Sequence, residues 1–346
     1  MTDYSILFFR IKEVFQREII AHNVPKKIAV AVSGGSDSLA LTFLLHEFCT
    51  ANKIKLYAVT VDHKMRANSS AEAKKLAEIL AAKKISHQIL SIKKSQVPQK
   101  NIEANLRELR YKLLEEFCLK NDIKFLFLGH IQGDVAENFI IRLFRGSGLD
   151  GLSSIAEISD YKNIKLVRPL LDFSKDDLQE FLRAKKVKWF EDETNEDEKF
   201  LRNKIRKFFN SFEEKNLIQG RIKNAANEIS KMRDFLDIIL LKEAKKILQL
   251  QPNGSFLINH KKFQKIDEKI ALKILALVLI EVGGKTYKPR LEKLKNFYQY
   301  LQQENIKPRN FYNCMVKKFD EKNIIIFAEK FLEQPKSLKT ILKRIF

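Results

Sequence analysis

Ser33-Gly34-Gly35-Ser36-Asp37-Ser38 gathers two glycines, three hydroxyls and a carboxylate into one short segment. The apolar run Ile28–Val32 precedes it and Leu39–Leu45 follows. That order predicts a strand, a glycine turn and a helix. The glycines let the backbone turn sharply and bring its amides close to a ligand. The helix adds unpaired N–H groups and the positive end of its dipole, which together bind anions, phosphate most commonly. No Lys follows the glycines, so this is not the GxxxxGK[ST] phosphate loop. Asp37 stands where Mg²⁺ can be held against a polyphosphate.

Further polar residues fall at the ends of apolar runs. Asp62 and His63 close Ile54–Val61, and His130 follows Lys124–Leu128. In a parallel sheet these are the carboxyl ends of strands, where ligands bind. His130 reads equally as a core or capping histidine. Asp134 opens a helix, where the dipole favours a carboxylate with or without a metal. Glu103, Arg107 and Arg110 are spaced i, i+4 and i+7, so they share one helix face; a solvated Glu–Arg pair would look the same. Arg142 and Arg145 precede Gly146-Ser147-Gly148, a segment suited to touching phosphate or an RNA backbone. Arg202, Asn203 and Arg206 follow the acidic stretch Glu191–Glu198 and suit polyphosphate or RNA.

The elements that must position these residues alternate. Strands are expected over Ile54–Val61, Ser86–Ile92 and Lys124–Leu128, with helices over Ser69–Lys83, Ile102–Leu119 and Asp134–Phe144. Strand–helix alternation with strands apolar on both faces predicts an α/β fold, a doubly wound parallel sheet. Residues 146–172 read as loop-rich with a short strand near Lys165–Val167, and Ser174 as the N-cap of a helix reaching Lys185. A long helix is expected from about Glu214 to Leu248, then a short extended piece at Leu257, Ile258 and Phe263. Helices Glu268–Glu281 and Lys288–Gln303 follow, and Phe311–Lys317 with Ile324–Ala328 closes the chain as a hairpin. Two domains are therefore expected, residues 1–213 and a smaller, mostly helical 214–346.

The charge is uneven. Of 64 Lys and Arg against 43 Asp and Glu, residues 1–213 hold 36 and 29, and the remaining 133 hold 28 and 14. A basic excess concentrated in the second part points to a polyanion, nucleic acid first and an anionic membrane surface second. A generally Lys-rich composition would give part of the same signal. No uncharged apolar stretch is long enough to span a membrane. The first residues read as an amphipathic helix rather than a signal peptide. Cys49, Cys118 and Cys314 form no CxxC, which argues against a disulfide frame, zinc or thiol relay and fits a reducing cytoplasm.

The hexapeptide resembles the SGGxDS pyrophosphate loop of the N-type ATP pyrophosphatases, the PP-loop superfamily. Within it the chain is similar to the tRNA(Ile)-lysidine synthases. The segments Val61–Arg66 (VDHKMR), Asn101–Tyr111 (NIEANLRELRY), Gly129–Gly148 (GHIQGDVAENFIIRLFRGSG) and Glu191–Arg206 (EDETNEDEKFLRNKIR) carry that similarity over residues 26–209. Ile131 and Gly133 depart from it, standing where the family usually has a second His and the first of two Asp. The resemblance implies an adenine nucleotide alpha hydrolase-type sheet and ATP bound by Ser33, Gly34, Gly35, Ser36, Asp37, Ser38, Asp62, His63 and Arg66. It implies Mg²⁺ on Asp37 and Asp134, and catalytic roles for Asp37, Asp134, His130 and Arg107. Glu103, Arg110, Arg142, Arg145, Arg202, Asn203 and Arg206 would meet the tRNA. The expected reaction joins free L-lysine to C2 of the wobble cytidine of a CAU-anticodon isoleucine tRNA, through an adenylated base, releasing pyrophosphate and AMP. A cytoplasmic enzyme is expected, with no membrane partner and a dimer among the open oligomeric states. A tRNA thiolation enzyme or an amide-forming synthetase shares the loop; the first generally uses cysteines near the site, and the second needs no basic second part.

Overall fold

The computed structural model describes residues 5–16, 25–62, 69–92, 102–190, 201–285 and 287–329, with residues 69 and 102–104 followed as backbone only. The chain divides into two compact units, Met1–Ser230 and Lys231–Phe346. The division lies later than the break after Glu213 expected from sequence. It falls inside one continuous helix, α9 (Lys215–Ile247).

Among the described residues, the first unit is built on a six-stranded sheet. Its order is β3 (Ser86–Ser91), β2 (Lys55–Asp62), β1 (Lys27–Ala31), β4 (Phe125–Leu128), β6 (Ile164–Val167) and β5 (Ile158–Tyr161). The first five run parallel and β5 is an antiparallel edge. The helices interleaved with it are α1 (Ser5–Val14), α2 (Ser36–Ala51), α3 (Ser69–Ala82), α4 (Ile102–Lys120), α5 (Gln132–Phe144), α6 (Leu149–Leu152), α7 (Lys175–Ala184) and α8 (Leu201–Asn210). Alternate strand residues enter different cores, as the period of two requires. Val30 and Phe127 pack with Leu7, Leu41 and Phe181, from α1, α2 and α7. Ala29 and Leu126 pack with Leu114 and Phe117 of α4. The chain leaves β1 toward β2 and returns on its other side as β4, so the strand order reverses between β1 and β4. That reversal opens a crevice at their carboxyl ends.

Most expected elements are present. The edge strand β5 lies in the stretch read as loop-rich; its residues, Ile-Ser-Asp-Tyr, are half-exposed but for the exposed Asp160 and give no apolar alternation to read.

The second unit contains more sheet than a terminal hairpin. Among the described residues it holds a five-stranded sheet ordered β7 (Leu248–Leu250), β8 (Phe256–Asn259), β11 (Asn323–Ala328), β10 (Cys314–Lys318) and β9 (Arg309–Phe311), antiparallel throughout. The expected hairpin is β10–β11. Phe311 is split from it by Tyr312 and Asn313, both at positive φ (58° and 61°), which fold β9 back onto β10 in a two-residue turn. The short extended piece is β8, and Phe263 ends α10 (His260–Phe263). Helix α11 (Glu268–Gly283) packs Leu275 and Leu279 with Ile324 and Ile326 of the sheet, joined by Phe297 of α12 (Leu291–Leu301). Asp267 caps α11 by accepting from the Lys269 and Ile270 amides. No helix among the described residues is long and apolar enough to cross a membrane.

Candidate active site

The loop after β1 is held by its own hydroxyls. Ser33 N donates to Ser38 Oγ at 3.1 Å, and Ser38 Oγ donates to the Gly35 carbonyl at 3.1 Å. Gly34 sits at φ +91°, and a Cβ there would stand 2.5 Å from the Phe190 ring. The Phe190 amide donates to the Gly34 carbonyl at 3.0 Å, so Gly34 is required by both backbone and neighbour. Gly35 is the N-cap of α2 and supplies no side-chain cap. The first N–H groups of α2 therefore face the crevice with the dipole behind them.

Asp37 lies in the first turn of α2 and accepts from Ser36 Oγ at 2.9 Å. Burial pushes its carboxyl above the ordinary aspartate range, and the charge of Asp134 adds to the rise. The Ser36 hydrogen bond, Lys175 and Arg206 oppose it. A Cβ on Gly129 would stand 3.0 Å from the Asp37 carbonyl and the Ser38 Cα. The end of β4 thus presses on the loop, and bare backbone at position 129 permits it.

Asp134 lies in the first turn of α5, its Oδ2 accepting from the Ile131 amide at 3.1 Å. Its Oδ1 accepts from Arg202 Nη2 at 2.8 Å. One turn on, buried Glu137 accepts from Arg202 Nε and from Arg206 Nε, each at 2.7 Å. Asn203 is buried on the same helix, α8.

Arginines crowd the other side of His130. Burial is the main cause that lowers its pKa to about 3, and Arg168, Arg107, Arg110 and Arg202 add to it. The imidazole is therefore neutral, and its Nδ1 is buried without a hydrogen-bond partner. Arg107 and Arg110 lie 5.2 and 5.3 Å from the Tyr111 ring centroid.

Asp62 is buried at the end of β2 and accepts from Ser70 Oγ at 2.7 Å. Arg142 donates to the Gly151 carbonyl at 2.6 Å, and Arg145 is exposed at the end of α5. His63, Arg66 and the Glu103 side chain lie outside the described residues. The structure thus brings Asp37, Asp134, His130, Arg107, Arg110, Arg202 and Arg206 into one electrostatic cluster. Sequence reasoning passed over Glu137, Arg168 and Lys175. Glu137 stands three residues after Asp134 on one helix face, and Arg168 directly follows the carboxyl end of β6; both were readable signals. Lys175 reaches the loop only through the packing of α7 and had none.

A divalent cation fits two of these side chains. The charge of Asp134 adds to the cost of ionising Asp37, which a shared cation relieves. No group of three or more His, Cys, Asp or Glu suited to a metal occurs among the described residues. A pair of carboxylates completed by substrate phosphates and water is the Mg²⁺ pattern.

A strand-end loop of this construction, at the reversal point of a doubly wound sheet, defines a PP-loop nucleotide-binding protein, and the PP-loop domain model matches residues 9–212. The tRNA(Ile)-lysidine synthase of Rickettsia typhi is 33% identical over 312 residues, covering 90% of this chain and 71% of that protein. The synthase of Wolbachia pipientis wMel is 33% identical over 308 residues, covering 88% and 70%. This chain belongs to the tRNA(Ile)-lysidine synthase family. Among solved structures, the U34-tRNA thiolase NcsA from Methanococcus maripaludis is similar with a TM-score of 0.54 at 17% identity, over 66% of this chain and 78% of that one, a likeness of fold alone.

Proposed function

We propose that this chain is the ATP-dependent ligase that converts the wobble cytidine of a CAU-anticodon isoleucine tRNA to lysidine. One observation carries the reading beyond the PP-loop class. The domain model ends at residue 212, whereas similarity to the lysidine synthases extends over 90% of the chain and so into the second unit.

ATP lays its β and γ phosphates on the Ser33–Ser38 amides and the start of α2. Asp37 and Asp134 would hold Mg²⁺, which supplies charge neutralisation at the transferring phosphate. The cytosine C2 oxygen attacks the α-phosphate and pyrophosphate leaves. The lysine ε-amine then attacks C2, losing a proton, and AMP leaves. The protein's part is positioning and charge complementarity more than acid–base chemistry. His130, held neutral, suits a hydrogen-bonding role rather than a cationic one. Arg107, Arg110, Arg142, Arg145, Arg202, Asn203 and Arg206 are the groups offered to nucleotide and RNA. The second unit, with 25 Lys and Arg against 12 Asp and Glu, is the docking surface for the tRNA body. ATP, tRNA and free lysine meet in the cytoplasm.

A thiolation reading finds little support in the cysteines. Cys49, Cys118 and Cys314 are free and buried, and burial pushes each thiol up to about 12, far from the thiolate that sulfur chemistry requires. The decisive assay is pyrophosphate release with tRNA(Ile) and lysine, set against tRNA and a sulfur donor. Lysine-dependent product with AMP release is expected. Product that forms only with the sulfur donor overturns the reading.

A further inference from the structure

One edge of the sheet in the second unit carries cations laid on aromatic rings. Among the described residues, β9 pairs with β10 alone and ends the sheet. Arg309, in β9, holds its guanidinium carbon 4.7 Å from the Tyr300 ring centroid. That ring ends a run of near-parallel aromatics. Phe311 and Phe297 have centroids 4.5 Å apart at 22°, and Phe297 and Tyr300 6.3 Å apart at 24°. Lys285 Nζ lies 4.4 Å from the Tyr312 ring centroid. Tyr287 is joined to Tyr312 by a hydrogen bond and is 82% exposed.

The rings beneath the cations are fixed. Tyr300 Oη donates to the Lys307 carbonyl, and Tyr312 Oη to the Tyr287 carbonyl. Asn313 Nδ2 donates to the Gly283 carbonyl at 3.4 Å, and a Cβ on Gly283 would stand 2.4 Å from the Tyr312 carbonyl. The turn is therefore seated on the end of α11. Positive φ at both turn positions favours Asn or Gly, so the backbone gives no reason for a tyrosine at 312. Its ring is what carries Lys285. The charge around this edge is of one sign. Residues 282–291 and 305–318 hold seven Lys and Arg and no Asp or Glu. Glu329 is the acid beside the turn, its amide donating to the Asn313 carbonyl at 3.1 Å. Among the described residues, neither it nor any other carboxylate forms an ion pair with Lys285 or Arg309.

We propose that this edge binds an unpaired nucleotide of RNA, with the base stacked on Tyr287 and the adjoining phosphates met by Arg309 and Lys285. An exposed ring beside cations is the arrangement that holds single strands, because every base offers a π-face and every linkage a phosphate. A paired helix keeps its bases stacked inside and offers such a ring no free face. Each cation already rests on a ring, so it loses less side-chain freedom when it meets phosphate. Tyr300 and Tyr312 are positioning residues, since they set where the two charges stand. The proposal rests on the RNA docking proposed above for the second unit, and it names the contact and the kind of RNA segment.

The test uses the full chain with Tyr287→Ala, Tyr287→Phe, Arg309→Ala and Arg309→Lys. Affinity is measured for oligouridylate and for a blunt duplex RNA at several salt concentrations, with thermal unfolding as a control. Tyr287→Ala keeps the carbonyl that accepts from Tyr312 and removes only the exposed ring. It should weaken oligouridylate at least about fivefold, the scale of one base–aromatic stack, and leave the salt slope and the duplex affinity as they were. Tyr287→Phe keeps the ring and should bind as the parent does. Arg309→Ala should weaken oligouridylate and shrink the salt slope by about 0.7, one phosphate on a single strand, whereas Arg309→Lys should keep the slope. Folded Tyr287→Ala protein with parental oligouridylate affinity overturns the proposal, as does a parent protein that binds the duplex and not oligouridylate. Loss of duplex binding in Arg309→Ala with Tyr287→Ala silent puts a helix backbone at this edge and also overturns it. Tyr287-dependent binding in a protein that forms no lysidine overturns the functional reading and leaves the RNA site standing. Lysidine formation by a protein whose RNA binding ignores Tyr287 and Arg309 does the reverse.

Discussion

Arg202 Nη2 lies 2.8 Å from Asp134 Oδ1, so an arginine of α8 neutralises the carboxylate that opens α5. The same guanidinium reaches Glu137, which also accepts from Arg206. Helix α8 is thereby clamped to the start of α5 beside the loop.

Glu137→Gln tests this clamp. It leaves two arginines facing a neutral amide in a buried position. Breaking a fully buried pair costs about 3–5 kcal/mol, and here the arginines are about a third exposed, which reduces the loss to about 1–3 kcal/mol. The expected outcome is a lower urea midpoint together with slower adenylylation, because Arg202 and Arg206 lose their anchor. Unchanged stability and rate would mean that α8 is held by its apolar face alone, through Ile205 and Phe209.

Asp37→Asn separates chemistry from folding. Burial raises the Asp37 pKa, so its ionisation costs stability, a cost that grows as pH rises from the unfolded value of 3.8 through the raised folded one and stays constant above it. The amide removes the charge and keeps an acceptor for Ser36. Adenylylation should fall by roughly a thousandfold or more while tRNA affinity stays near wild type. Unfolding at neutral pH should be no easier than in the parent. Pyrophosphate release at a tenth of the parent rate would remove Asp37 from the metal site.

Gly133→Asp restores the acid usual in the family. A Cβ at position 133 meets Gln219 Oε1 at 3.3 Å and Gln219 Nε2 at 3.5 Å, so the Gln219 side chain must move. The close approach of α5 and α9 is what the glycine permits. The expected result is a stability loss of about 1 kcal/mol with less than about tenfold change in rate. Asp134→Ala should cost far more, because it removes the acceptor of the Ile131 amide and the partner of Arg202 together. Equal and small rate effects from both would show that this segment holds no metal.

His130 gives a pH dependence of known sign. Its pKa is lowered from 6.5 to about 3, so between those values the unfolded chain binds a proton that the folded chain does not. Stability therefore falls as pH drops through this window, by at most about 1.4 kcal/mol per unit from this group. His130→Asn should flatten urea-derived stability between pH 6.5 and 4. An unchanged slope would place the acid sensitivity elsewhere.

The loop, the succession of strands and helices along the chain from β1 to β4 and the Asp37, His130 and Asp134 positions were legible because apolar runs ending in polar residues mark strand ends locally. The partnerships were not. Nothing adjacent in sequence joins Arg202 to Asp134, 68 positions away, or Arg206 to Glu137, 69 positions away. Such pairs depend on sheet order, which short-range pattern does not carry. Strand β5 and the turn at Tyr312-Asn313 were missed because short half-exposed strands and a tyrosine at positive φ give weak local signals.

The division of the chain sets how the RNA-docking reading is tested. A break after Glu213 would strip from the first unit contacts that belong to it. Gln132 Nε2 donates to the Asn216 carbonyl, Ser154 N donates to the Ala226 carbonyl and to Ser230 Oγ, and Gly133 abuts Gln219. Truncation after Ser230 keeps them and removes 25 of the Lys and Arg. Counterion release makes affinity fall with salt by a slope of about 0.7 to 0.9 per phosphate neutralised. The 1–230 protein should bind ATP as the parent does, because the loop, Asp37 and Asp134 all lie within it. Its tRNA affinity should drop by orders of magnitude and its salt slope should flatten, whereas 1–213 should be unstable. A folded 1–230 protein with parental tRNA affinity and salt slope would move the RNA site onto the arginines of α4 and α8.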